Sequence, residues 1–146
     1  MAFGPDGDLY IAVMGAGQIA RLPDRNHDGI ADATEIVARN LGQPHNLEFH
    51  DGWFYVAERD RIERFNPTRS AEIRELVTDN IPCCGGHSTR TLHYGPDGKL
   101  YVSAGSSSNN SPESDPRRAA ILRFNPDGSI PSDNPFASDA DTLRGK

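Results

Sequence analysis

FGPDGDLYIAV, residues 3–13, is a complete β-hairpin written in eleven residues. In Gly4-Pro5-Asp6-Gly7, proline fixes φ at the first corner of a turn and glycine accepts the positive φ of the last. Leu9 to Val13 is then a returning strand. Two further stretches repeat it: FHDGWFYVAE from Phe49 and YGPDGKLYVSAG from Tyr94. Aligned on the shared Asp-Gly, they place Tyr10, Tyr55 and Tyr101 at spacings of 45 and 46 residues. A second strand-like element follows each hairpin: QIARLPD at 18–24, RIERFNP at 61–67 and AILRFNPDG at 120–128. More polar strand candidates follow the first two, TEIVARNL at 34–41 and EIRELVTDNI at 72–81. Four short strands in about 45 residues is the period of a β-propeller blade. The expected fold is all-β, with four-stranded antiparallel blades in units of approximately 1–41, 42–82 and 83–146. A β-sandwich would give no reason for the fixed period.

The totals agree. A chain of 146 residues is one domain by default, and 14 glycines with 11 prolines suit short strands punctuated by turns. A net charge of −6 argues against nucleic acid or an anionic membrane as the main partner. No run of eighteen apolar residues exists to span a membrane. The N-terminus is already hairpin and not a signal peptide. Three units do not close a propeller, because an open arc leaves strand edges unpaired. The chain begins inside a first strand and stops at Leu143-Arg144-Gly145-Lys146, where another should start. The expectation is an incomplete propeller, part of a longer protein, with self-assembly into a closed ring as the alternative.

If the strands of each blade run A to D from the axis outward, alternating direction puts the A–B and C–D turns on one rim. The B–C and D–A loops then share the other. His45 and His87 precede A strands and lie in D–A loops. GSSSNNSPESDPRR, residues 105–118, is a long B–C loop where the second unit has almost nothing around Arg59-Asp60. Long irregular loops inside compact repeats are usually functional or disordered. The loop shares a rim with His87, so that rim is the candidate active face.

Each candidate residue has an ordinary reading beside the functional one. DRNHDGIADATE, Asp24–Glu35, carries oxygen side chains at loop positions 1, 3, 5, 9 and 12 and Gly29 at position 6. Ca²⁺ takes six to eight oxygens, and the ligands would be Asp24, Asn26, Asp28, Asp32, Glu35 and the Ile30 carbonyl. The ordinary reading is an acidic turn. On the face argument the loop lies opposite His87, so a cation there would be structural. His87 follows Gly85-Gly86, which let backbone approach a ligand closely, and histidine is the natural base near neutral pH. A lone loop histidine is more commonly a surface residue. Cys83 and Cys84 are adjacent, with Cα atoms about 3.8 Å apart across a trans peptide, less than the roughly 4.4 Å minimum of ordinary disulfides. Two thiols are the default expectation, and a strained ring the alternative. Arg117 and Arg118 read as a solvated pair or an anion site, and Trp53 as packing.

From Gly85 onward, GGHSTRTLHYGPDGKLYVSAGSSSN and DPRRAAILRFNPDGSIPSDNPF resemble the soluble quinoprotein glucose/sorbosone dehydrogenases. The likeness is densest from 85 to 136, where DGSIPSDNPF is distinctive, and QPHNLEF fits as well. It implies a six-bladed propeller, of which this chain is about three blades, and oxidation of sugars with PQQ and Ca²⁺ as cofactors. It implies His87 as general base, with Arg90, Ser106, Asn109, Asn110 and His45 near the cofactor. A quinone or cytochrome c would be the external electron acceptor, and the location periplasmic or extracellular. The His87–Arg90 spacing is one residue shorter than in the glucose enzymes, which favours the sorbosone-type branch. The family's cofactor-anchoring Arg-Asn pair and its catalytic Ca²⁺ site fall beyond these residues, so the chain alone is expected to be a poor enzyme. Two other readings remain open. One is a lactonase-type propeller with a central metal, for which His45, Asn46 and His87 are a thin ligand set. The other is a non-catalytic Ca²⁺-binding scaffold.

Overall fold

The three repeats become three sheets in the computed structural model, which describes residues 1–69, 73–110 and 112–135. The C-terminal Leu143–Lys146 lie outside the described residues. The first sheet runs β1 (Ala2–Phe3), β2 (Leu9–Val13), β3 (Gln18–Leu22) and β4 (Glu35–Ala38). The second is β5 (Asn46–His50), β6 (Trp53–Ala57), β7 (Ile62–Phe65) and β8 (Arg74–Thr78). The third contains β9 (Leu92–Tyr94), β10 (Leu100–Ala104) and β11 (Ala120–Phe124). Neighbours in each sheet are consecutive in sequence and antiparallel.

The sheets stack face to face because the strands alternate. Along β6, Phe54 and Val56 point to the first sheet and pack with Tyr10, Ile19, Leu47 and Phe65. Tyr55 and Ala57 point the other way, to Leu92, Leu100, Val102 and Leu122 of the third. Period-two alternation thus buries both faces of the middle sheet. The first strands come together on one side, β1 beside β5 and β5 beside β9. There the exposed edge of β9 is satisfied by its neighbour. The Leu92 amide donates to Asn46 Oδ1 at 3.0 Å and the Tyr94 amide to Glu48 Oε1 at 3.2 Å. An inner strand with no further ladder partner needs such acceptors. This is an incomplete β-propeller.

The repeat contains a residue that the sequence reading did not single out. Opposite each repeat tyrosine on the next strand stands an arginine: Tyr10 faces Arg21, Tyr55 faces Arg64 and Tyr101 faces Arg123. In the first and third sheets the tyrosine hydroxyl donates to the turn aspartate, Asp6 at 2.8 Å and Asp97 at 3.0 Å. The arginine pairs with the same carboxylate, Arg21 at 3.1 Å and Arg123 at 2.9 Å. The Pro-Asp-Gly turn is therefore fastened to strand C by a phenol and a guanidinium. The second hairpin has a shorter turn, and Arg64 instead donates to the Tyr55 hydroxyl at 3.2 Å and lies 4.5 Å over the Trp53 ring. Trp53 is packing, as its position suggests.

The fourth strands are shorter than the sequence suggests, ending at Ala38 and Thr78 rather than 41 and 81. A register shift interrupts both C–D pairings, at Ile19/Ala20 and at Ile62/Glu63. Leu41 and Ile81 leave the ladder and turn into the core.

Glu58, at the end of β6, is buried beneath the loop before β5 and accepts the Gly42 amide through Oε2. Burial raises its carboxyl from 4.5 to about 7, with Glu63 repelling it and the Gly42 amide opposing the shift. A carboxyl whose folded pKa is raised binds its proton more tightly in the folded state. The associated stability is full below the unfolded value and is lost as pH rises from about 4.5 to about 7. Glu58→Gln should flatten the fall of Tm across that window, measured by thermal unfolding at stepped pH. A separate expectation concerns the core. Phe54→Ala should destabilise by about 3–5 kcal/mol in denaturant unfolding, because Phe54 is fully buried between two sheets.

Candidate active site

Antiparallel order brings the D–A and B–C connections to one rim, and at the third sheet the two meet. The Gly86 amide donates to the Ser107 carbonyl at 2.7 Å and the His87 amide to the Ser106 carbonyl at 3.3 Å. The approach requires glycine on both sides. A Cβ on Gly105 would fall onto the His87 carbonyl oxygen and 2.8 Å from the His87 Cβ. Gly85 has φ +144°, and a Cβ there would lie 3.0 Å from the Ser107 Cα. The two glycines before His87 and the one that begins the long loop are one device: they let two loops touch backbone to backbone.

His87 itself is exposed on this rim, beside the half-buried Ser106. Asn109 and Asn110 are exposed farther out on the same loop. Side chains fix the described residues of the loop. Glu113 Oε1 accepts the Ser107 amide at 2.6 Å, and Asp115 takes Arg117 through both oxygens at 3.0 and 2.6 Å. Arg117 also donates to Asn80 Oδ1 at 2.6 Å, so it is neither a solvated cation nor an open anion site. Arg118 reaches the carbonyls of Cys83 and Cys84, the second at 2.6 Å.

Arg90 stands behind His87 rather than beside it on the surface. It is 1% exposed and donates to the carbonyls of Pro82 at 2.6 Å, Thr89 at 2.9 Å and His87 at 3.4 Å. It therefore shapes the loop that presents His87. Burial and then the Arg118 charge lower its pKa, while Asp60 opposes the shift. His45, in the preceding D–A loop, is also lowered, by burial first and then by Arg90 and Arg59. Burial and the two guanidinium charges favour its neutral form. Four buried nitrogens here lack a partner among the described residues: His45 Nδ1, Arg59 Nε, Arg90 Nε and Arg118 Nη1. Three of these nitrogens belong to guanidinium groups, and the carboxyl oxygen Glu58 Oε1 nearby is likewise without a partner.

Cys83 and Cys84 are joined to each other, with Cα atoms 3.7 Å apart. The default expectation of two thiols is corrected. Cα spacing excludes ordinary long-range disulfide geometry, but a bond between neighbours closes a small ring that follows different limits.

The Asp24–Glu35 loop lies between β3 and β4, the C–D connection, on the rim opposite His87. It closes on its own amides. Asp24 accepts those of Asp28 and Gly29 at 3.2 and 2.8 Å, Asp28 that of Ile30 at 2.8 Å, and Asp32 that of Arg25 at 2.8 Å. Asn26 donates to Asp28 at 3.0 Å. Glu35, at loop position 12, is drawn instead to Arg25 at 3.2 Å and Arg21 at 3.5 Å. Among the described residues, no three His, Cys, Asp or Glu side chains converge on a point that would hold a metal ion.

Gly105→Ala should push His87 off the loop. Hydrogen exchange at the Gly86 and His87 amides should quicken by about tenfold or more, while amides of β6 keep their protection. Unchanged exchange at both would show that the glycine contact does not hold the rim together.

This fold occurs in solved structures at low identity. A protein described as an oxidoreductase (glucose dehydrogenase) from Thermus thermophilus matches 97% of this chain with a TM-score of 0.75 and 22% identity. The PQQ-bound aldose sugar dehydrogenase of Streptomyces coelicolor matches 92% with a TM-score of 0.69 and 22% identity. A calcium structure of a Trichoderma reesei carbohydrate-active enzyme of family AA12 matches 92%, with 0.70 and 22%. The chain spans only 47%, 46% and 36% of those three chains. At such identity they establish the fold alone. No curated protein matches the sequence. The family model for glucose/sorbosone dehydrogenases, however, matches residues 1–144. From Met1 almost to its end, this chain belongs to the glucose/sorbosone dehydrogenase family.

Proposed function

We propose that this chain forms the base-bearing rim of a PQQ-dependent sugar dehydrogenase, as part of a longer propeller. One observation carries the reading: an exposed histidine is held backbone to backbone against a long rim loop, near three guanidinium nitrogens without partners among the described residues. PQQ is a quinone bearing several carboxylates, and unsatisfied cationic donors fit such a guest. Arg90, His45, Ser106, Asn109 and Asn110 are the residues we assign to its neighbourhood. When bound, it supplies the two-electron acceptor for the hydride. His87 takes the proton from the hydroxyl on the sugar carbon being oxidised, so that hydride can leave the same carbon. Arg90 sets the angle of the His87 loop through three carbonyls. The rim loop excludes water from one side of the reacting carbon.

The sugar, oxidised at an alcohol or aldehyde carbon, is the substrate in this reading. An external quinone or cytochrome c receives the electrons, and the enzyme works in the periplasm or outside the cell. Among the described residues no helix is long and apolar enough to cross a membrane. The described chain alone lacks the opposite blades and is expected to turn over poorly.

The Ca²⁺ assignment to Asp24, Asn26, Asp28, Ile30, Asp32 and Glu35 is separate from this chemistry. It requires Glu35 to exchange Arg21 and Arg25 for the cation, and we derive no step from it. Calorimetric titration with Ca²⁺ should show one site that Asp24→Asn removes. Absence of heat would withdraw the assignment.

The main test is His87→Gln in the full-length protein supplied with PQQ and Ca²⁺, with aldoses and an artificial acceptor. Loss of a general base costs about 10²–10⁴-fold in kcat, and PQQ binding should persist. Undiminished turnover with bound PQQ would overturn the role of His87.

A further inference from the structure

The chain's two cysteines form a ring at the root of the His87 loop. Cys84 is exposed and has φ +62°, a left-handed conformation uncommon for a residue with a side chain. The carbonyls of Cys83 and Cys84 both accept from Nη2 of Arg118. Successive carbonyls of an extended chain point in opposite directions, so two on one nitrogen require the turned backbone found here. Arg118 belongs to the long rim loop. The ring is therefore the first of three consecutive links between the loops, followed by Gly86 to Ser107 and His87 to Ser106. On its other flank, Pro82 is held by Arg90.

We infer that Cys83–Cys84 is a thiol–disulfide exchange site whose closed ring holds His87 against the 105–118 loop and whose opening by a dithiol releases it. A thiolate of the dithiol attacks the sulfur of the exposed residue Cys84, the Cys83–Cys84 bond breaks, and Cys83 leaves as a thiolate that takes up a proton. The second thiol of the reductant then attacks its own sulfur in the mixed disulfide and frees Cys84. Two electrons and two protons pass to the protein, and the dithiol departs as a disulfide. The guanidinium of Arg118, on the ring carbonyls, favours the departing thiolate. Once open, Cys84 is free to leave the left-handed region, its carbonyl parts from Arg118, and the two links that follow lose their register.

The consequence for turnover rests on the proposed role of His87, but the loop release does not, so two readouts are needed. The full-length protein with its cofactors is reduced with excess dithiothreitol, sampled by alkylation and mass spectrometry, and followed by hydrogen exchange and steady-state kinetics. Cys83→Ser/Cys84→Ser serves as the permanently open form. Two alkylated cysteines should accompany exchange at Gly86 and His87 that is faster by about tenfold. The kcat should fall by a similar factor with KM less affected, and reoxidation should reverse both. The double variant should show the fast exchange with or without reductant. If exchange quickens but turnover holds, the exchange site stands and the His87 base reading falls. Native protein that resists reduction, or that is doubly alkylated with exchange unchanged, overturns the inference. Should the double variant fail to fold, the reduced wild type gives the same decision.

Discussion

Burial of the middle sheet on both faces is the constraint from which the rest of the molecule follows. Phe54 and Val56 need one apolar neighbour, Tyr55 and Ala57 another, and a strand can meet both demands only between two further sheets. Hydrophobic burial favours that stack by roughly 25 cal/mol per Å², without specifying what the loops do. Strand direction does the remainder. Once consecutive antiparallel strands stack with their first strands on one side, every B–C and D–A connection falls on the same rim. The chemistry is a by-product of that order: His87 and the 105–118 loop are neighbours because each follows an even number of strands.

The rim then depends on what is absent from three residues. Gly85, Gly86 and Gly105 lack the Cβ atoms that would hold the two loops apart. Arg90 fills the space behind His87, and Arg118 crosses from one loop to the carbonyls of the other. Both arginines spend their hydrogen bonds on main chain, so they confer shape before they confer charge. Arg59, Arg90 and Arg118 each keep one guanidinium nitrogen without a partner among the described residues, in a protein whose net charge is −6.

Much of this was legible in the sequence. The spacing of Tyr10, Tyr55 and Tyr101 disclosed the blades, because turn chemistry and period-two alternation act locally. The rim shared by His87 and the long loop followed from counting reversals. The repeated arginines at 21, 64 and 123 carried a visible signal that was passed over, since a charged residue on a strand reads as solvent-facing until its cross-strand partner is known. Other features leave no local trace. Nothing about Glu58 announces burial, nothing in GSSSN marks Gly105 as the point of closest approach, and no spacing rule says that Cys83 and Cys84 are bonded. In the acidic loop, Asp24 to Glu35 has cation-loop spacing, and its last carboxylate pairs with Arg21 on β3 and Arg25 at the start of the loop.

The most direct measurement is a crystal structure of the full-length protein with PQQ bound. The account predicts the quinone at the rim formed by the D–A and B–C connections, with a His87 ring nitrogen within hydrogen-bonding reach of the sugar or the quinone. A cofactor seated at the opposite rim, beside the Pro-Asp-Gly turns, would contradict it.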